Sequence, residues 1–175
     1  MTTPDLRAFV RDIPDFPRPG IVFRDITPLL LDAAALDAAV SGLAARVTAA
    51  EVDFVVAAEA RGFILGAALA RQLGAGFVPA RKPGKLPAET VSAEYTLEYG
   101  LDALEVHADA LADGARVLVH DDLLATGGTA RALCDLASDL GAEIIGCAFL
   151  VELCFLQGRT RLAPHDVYSL IEYTD

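Results

Sequence analysis

Val117 to Thr129 reads VLVHDDLLATGGT, and the order of these residues decides the fold. Val117 to His120 is apolar enough to be the end of a buried strand. Asp121 and Asp122 follow at once, then an apolar bridge from Leu123 to Ala125, then Thr126, Gly127, Gly128 and Thr129. The next residues, ARALCDLASDLGA, put Leu133, Leu136, Ala137 and Leu140 on one helical face. Strand, acid pair, glycine turn and helix make one unit of an α/β fold. The turn can aim several backbone N–H groups at one point, where the helix start adds partial positive charge, so an anion is expected there. The two aspartates cannot favour an anion. Ionised carboxylates only accept hydrogen bonds, so sugar hydroxyls are their natural guests. A phosphate beside a diol is a ribose phosphate. The stretch lacks both the lysine of a Walker-type loop and the G-x-G-x-x-G of a dinucleotide site. The plain alternative is an ordinary strand-to-helix turn with two solvated acids.

Outward from this stretch, strands and helices alternate. Toward the N-terminus, Val52 to Ala58 is a continuous apolar run apart from Asp53, as in a strand covered on both faces. It leads through Glu59, Ala60, Arg61 and Gly62 into a helix ending near Leu73, with Gly74 after it. Phe77 to Ala80 is a short strand, and RKPGKLP, Arg81 to Pro87, is a basic loop. Val91, Ala93, Tyr95, Leu97 and Tyr99 alternate with polar residues, which predicts a half-exposed strand or hairpin arm with Leu104 to His107 as its partner. Farther back, Asp32 can cap a helix over Ala33 to Ala49 with Leu36, Val40, Leu43 and Val47 on one face. Ile21 to Arg24 is extended and stopped by Pro28, PDFPRPG is irregular, and Asp5 to Ile13 is a plausible first helix. Beyond the phosphate helix, Glu143 to Val151 and Val167 to Tyr173 complete a mainly parallel sheet.

Composition sets the frame. The length of 175 residues, 54% hydrophobic, suits one domain with a sizeable core. A formal net charge of −11 argues against nucleic acid or anionic membrane as the partner. No stretch reads as a signal peptide or a membrane span. Cys134, Cys147 and Cys154 lack paired metal spacing and are expected as buried thiols in a reducing cytoplasm.

The stretch VLVHDDLLATGGT closely resembles the phosphoribosyl pyrophosphate signature of the type I phosphoribosyltransferases. With FRDITP (Phe23 to Pro28), EARGF (Glu59 to Phe63), RKPGKLP and YTLEYG (Tyr95 to Gly100), the chain resembles the adenine phosphoribosyltransferase family, in collinear order from about Ile13 onward. The resemblance implies a type I phosphoribosyltransferase fold in a single domain over residues 1–175. Residues 1–32 would form a small hood and 81–107 a flexible loop and hairpin. It implies transfer of the phosphoribosyl group from phosphoribosyl pyrophosphate to adenine, giving AMP and pyrophosphate. Mg2+ would be bound through substrate and water with no protein ligand, and the assembly would be a homodimer.

Roles follow on the matching residues. Asp121 and Asp122 would hold the ribose hydroxyls, and Ala125, Thr126, Gly127, Gly128 and Thr129 the 5′-phosphate. Arg61, Arg81, Lys82 and Lys85 would serve pyrophosphate, with the choice among the last three open. An unusual cis peptide would fall between Glu59 and Ala60. Glu98 would handle the purine proton and Tyr99 move with its loop, although alone they read as an exposed strand acid and an ordinary strand aromatic. Phe23 would stack on adenine against Leu156, or belong to the core. The backbone of Val22, Phe23 and Arg24 offers a carbonyl and an N–H on one edge, matching the N6 donor and N1 acceptor of adenine. A 6-oxopurine presents the reverse pattern, and unpaired buried groups make rejection strong. Enzymes for 6-oxopurines carry a lysine in the strand after the phosphate helix, and EIIGCAFLVEL has none. His120, where such strands usually carry an aliphatic residue, reads as a hydrogen-bonded strand-end histidine. The rivals are the same fold acting on xanthine or hypoxanthine, and a non-catalytic ligand sensor of the same fold.

Overall fold

The computed structural model describes residues 4–97 and 100–175. Five parallel strands form the central sheet: β3 (Phe54–Ala58), β4 (Gly76–Ala80), β7 (Arg116–Leu124), β8 (Glu143–Leu153) and β9 (Val167–Tyr173), in the order β4-β3-β7-β8-β9. Two short antiparallel ribbons flank it. One pairs β1 (Arg11–Pro14) with β2 (Val22–Asp25), the other β5 (Thr90–Leu97) with β6 (Gly100–His107).

Alternation along β7 builds both core layers. Val117 and Val119 face α4 (Gly128–Asp139), where Leu133, Leu136 and Ala137 meet them and Leu104 and Val106 of β6 close the cluster. Leu118 faces the other side, toward α2 (Ala33–Ala44) and α3 (Arg61–Leu73), with Leu43, Leu69 and Leu73. Helices on both faces explain why these strands read as near-continuous apolar runs.

Local signals fall where expected at several boundaries. Asp32 Oδ1 accepts from Ala35 N at 2.8 Å and caps α2, and Gly74 ends α3 in the left-handed region at φ 71°. Asp53 binds the Arg116 guanidinium at 2.8 and 3.0 Å, locking the starts of β3 and β7 in register. Cys134 and Cys147 are buried free thiols with their sulfurs 3.7 Å apart.

Other expectations fail for tertiary reasons. The first segment is no helix through Ile13. A 3-10 turn covers Leu6–Phe9, and Arg11–Pro14 then pairs with β2, tied by Arg11–Asp25 at 2.7 Å and Arg24–Asp12 at 2.5 Å. Cross-strand pairing overrides the helical preference. Pro28 stops nothing; it sits in the first turn of α1 (Thr27–Leu31), where its missing N–H costs no bond. The next helix ends at Ala44 instead of Ala49. The acid pair does not follow its strand but lies inside it, because β7 stays paired with β8 out to Leu124↔Glu152.

Candidate active site

The sheet order reverses between β3 and β7: β3 leads to β4 on one side, and β7 leads to β8 on the other. Ligands of open α/β sheets bind beyond the carboxyl ends of strands at such a switch point. That point joins Glu59–Arg61 after β3, the end of β7 with its glycine turn, and the turn Cys154–Leu156 after β8.

Asp122 is 3% exposed, and its N–H donates to Asp121 Oδ1 at 2.9 Å. Arg61 Nε stands 3.0 Å from Asp122 Oδ2, yet that buried oxygen receives no aligned hydrogen bond. The contact is therefore one of charge, and the oxygen is an acceptor in want of a donor. Burial, then the adjacent Asp122 charge, holds the Asp121 carboxyl well above the ordinary carboxylate range. Burial raises Asp122 too, with Arg61 partly offsetting it. A Cβ on Gly62 would stand 2.7 Å from Asp121 Oδ1, so any side chain there would displace that carboxylate. The expected cis peptide joins Glu59 and Ala60.

Behind the acids, Gly127 adopts φ 83° and α4 begins at Gly128. The first helical bond runs from Arg131 N to Gly127 O at 2.9 Å. The amides of Gly128, Thr129 and Ala130 precede it, and no side chain caps them. With Ala125 and Thr126 they make up the candidate anion cradle, since such free amides are able to hold a phosphate.

The connector QGRTRLAP carries residues that sequence reasoning missed. A Cβ on Gly127 would lie 2.5 Å from the Gly158 carbonyl oxygen, and one on Gly158 would press on the carbonyl oxygen of Ala125. Gly158 thus backs the cradle. Arg159 beside it binds both Glu152 oxygens at 2.6 Å, and Ser169 donates to Glu152 at 2.7 Å. Glu152 is only 2% exposed while Arg159 reaches it from the surface, and the pair clamps the connector onto β8. The only sequence signal was an acid in an otherwise apolar strand.

The basic loop divides. Glu59 accepts from Lys82 N at 2.8 Å and Arg81 Nε at 3.1 Å, which ties the end of β3 to the basic loop. Arg81 also donates to the Lys85 carbonyl, and Lys82 Nζ pairs with Asp102 and with Tyr95 OH. Lys85 is exposed. Glu98 and Tyr99 lie outside the described residues.

In the hood, the β1–β2 ribbon leaves the far edge of β2 without a strand partner among the described residues, so that edge can bond a ligand. Val22 is 43% exposed. Phe23 is half-buried, with Phe16 edge-on at 5.2 Å and the Arg61 guanidinium carbon 4.9 Å from its ring centroid. The Arg24 side chain is taken by Asp12 and, 3.8 Å away, the Tyr173 ring, leaving only its backbone for recognition. Leu156 is half-buried in its turn at the same end of the sheet. His120 is fully buried, with Nδ1 2.9 Å from the Ala148 carbonyl oxygen. Burial holds its pKa down to about 4, so it is neutral and Nδ1–H donates.

The sequence profile of the phosphoribosyl transferase domain matches residues 30–173. An adenine phosphoribosyltransferase of Rubrobacter xylanophilus is 58% identical over 97% of this chain and 92% of its own length. The crystal structure of adenine phosphoribosyltransferase from Thermoanaerobacter pseudethanolicus superposes with a TM-score of 0.95 at 52% identity, covering 98% of this chain and all of that one. The Giardia lamblia enzyme complexed with 9-deazaadenine gives 0.93 at 37% identity, covering 100% of this chain and 99% of that one.

Proposed function

This chain belongs to the phosphoribosyltransferase family, and we propose that it is the member that transfers the 5-phosphoribosyl group from phosphoribosyl pyrophosphate to adenine, releasing AMP and pyrophosphate. The observation that carries the reading is the buried, donor-less oxygen of Asp122 beside the uncapped start of α4. A ribose hydroxyl supplies the missing donor and a 5′-phosphate satisfies the free amides.

The N9 lone pair of adenine attacks C1′ as the C1′–O bond to pyrophosphate breaks, and the departing oxygen keeps the bonding pair. The sugar passes through a cationic state. Asp121 and Asp122 would hold its hydroxyls, while Ala125 to Thr129 fix the phosphate end, so that C1′ faces the base. The free edge of Val22 to Arg24 would read N1 and N6, with Phe23 and Leu156 as the stacking walls. The N9 proton must leave as the new bond forms, and Glu98 is the group proposed to accept it. General-base help of this kind is worth about 10²–10⁴-fold. Glu98→Ala should lower turnover by about that factor and leave the melting temperature unchanged; full activity in that variant would remove the role.

Arg61 and the basic loop would take the pyrophosphate, with Lys85 the exposed member of its three cations. Magnesium fits the donor set as a substrate-borne ion. Asp122 faces Arg61 and, with Asp121, would be taken up by the diol rather than by the ion. When bound, the ion would neutralise charge on the leaving diphosphate. A homodimer in the cytoplasm is the proposed working form. Steady-state pyrophosphate release should be fast with adenine and far slower with hypoxanthine or xanthine. Preference for a 6-oxopurine would overturn the reading of β2, and the absence of pyrophosphate release with every base would favour the sensor.

A further inference from the structure

Arg61 touches both halves of the site at once. Its Nε is 3.0 Å from Asp122 Oδ2, the diol acid, and its guanidinium carbon lies 4.9 Å from the centroid of Phe23, the base wall. A nucleotide bound here has its ribose at the first and its base at the second. The bond joining them must cross the gap that Arg61 now spans, and a guanidinium and a glycosidic bond cannot share it. Neither contact holds the side chain firmly. Asp122 Oδ2 receives no aligned hydrogen bond, and the stacking on Phe23 is with a half-buried ring. Each is a contact that a better partner displaces. A diphosphate offers several charged oxygens in the bidentate geometry a guanidinium prefers.

We propose that Arg61 is a plug with two positions. In the one seen here it covers Phe23 and balances the charge of Asp122. In the other it has turned onto a diphosphate, uncovering the ring for adenine and freeing Asp122 for ribose hydroxyls. Diphosphate binding therefore raises the affinity for adenine through one side chain, and the two subsites are coupled. This inference rests on the adenine and phosphoribosyl pyrophosphate reading above, to which it adds the coupling.

Inorganic pyrophosphate with magnesium is the probe, because without a ribose nothing reacts. Adenine is titrated calorimetrically into the full chain with and without it. For the parent, pyrophosphate should tighten adenine binding by about tenfold or more, a common size for coupling between sites. Arg61→Gln, too short to span the gap, should bind adenine about tenfold more tightly than the parent without pyrophosphate and respond little to its addition. Arg61→Lys keeps the charge but loses the planar stacking, so it should bind pyrophosphate with weaker coupling than the parent. The plug is overturned if parent adenine affinity is the same with and without pyrophosphate, or if the two variants keep the parent's coupling. Failure of the parent to bind adenine under either condition, with no AMP formed from phosphoribosyl pyrophosphate, would instead refute the substrate reading.

Discussion

Gly158→Ala tests whether the connector after β8 shapes the phosphate cradle. Gly158 has φ −57° and ψ −31°, which any L-residue adopts. On backbone grounds alone alanine should stabilise the chain by about 0.4–1 kcal/mol through the unfolded state. Its Cβ would press on the Ala125 carbonyl oxygen, however, and stand 3.0 Å from Leu124 Cδ1 and 3.1 Å from Gly127 N. Two of those three neighbours are backbone atoms of the cradle, so relief must come from moving the cradle. Overpacking of this kind costs about 1–3 kcal/mol. The net loss is then up to about 2.6 kcal/mol, or a fall in Tm of up to about 10 °C for a chain of this size. A phosphate held about 1 Å out of place costs on the order of 10²-fold in rate, equivalent to about 2.7 kcal/mol of transition-state stabilisation. Initial rates with phosphoribosyl pyrophosphate varied at saturating adenine give kcat/KM, and thermal melts give stability. A variant that melts at or above the parent and keeps kcat/KM within about twofold would refute the steric argument.

Three further outcomes follow from the buried charges. Asp121 has its folded pKa raised by burial and by Asp122, so its ionisation opposes folding. That cost is absent below the unfolded value of ~3.9 and grows as pH rises above it. Asp121→Asn should therefore be more stable than the parent at neutral pH, on the order of 1 kcal/mol, with the gap closing in acid and transfer activity lost; urea midpoints across pH that show no gap would contradict this. His120 is lowered to about 4. Since free histidine titrates near ~6.5, the unfolded chain protonates first and the fold loses up to about 1.4 kcal/mol per pH unit as pH falls through that window. His120→Leu should flatten the stability curve there, and an unchanged slope would place the proton elsewhere. Arg159→Ala strips the buried Glu152 of its cation and should cost about 1–3 kcal/mol or more, since a charged acceptor loses its partner; Glu152→Gln in the same background should recover part of that loss, as read by denaturant midpoints.

Much of the site was legible because its chemistry is local. Strand, acid pair, glycine turn and helix occur within Val117 to Thr129, and backbone preference alone puts free amides at the start of α4. The Arg24 guanidinium shows the limit. Sequence pattern gave its segment an extended backbone, but only the fold shows the side chain drawn to Asp12 and Tyr173, so that the backbone is what remains for the proposed reading of the base. His120 is similar. Its oddity was visible, while its neutral state depends on the Ala148 carbonyl one strand away. The first segment failed outright, because residues 5–13 carry helical signals that are outweighed by pairing with Val22–Asp25.

By itself the sequence determined which stretches are strands and helices in the α/β core, which residues are candidates to hold a phosphate and a diol, and which family the motifs resemble. These depend on periodicity, capping and turn conformation, which act over a few residues. Only the tertiary structure decided that Gly158 backs the cradle, that Arg159 clamps its connector through Glu152, and that Arg61 reaches from Asp122 to Phe23. Cradle to Gly158 and Arg61 to both its partners are contacts across about thirty residues or more. They are set by the switch point of the sheet and the packing of side chains around it. No local pattern in the chain encodes them.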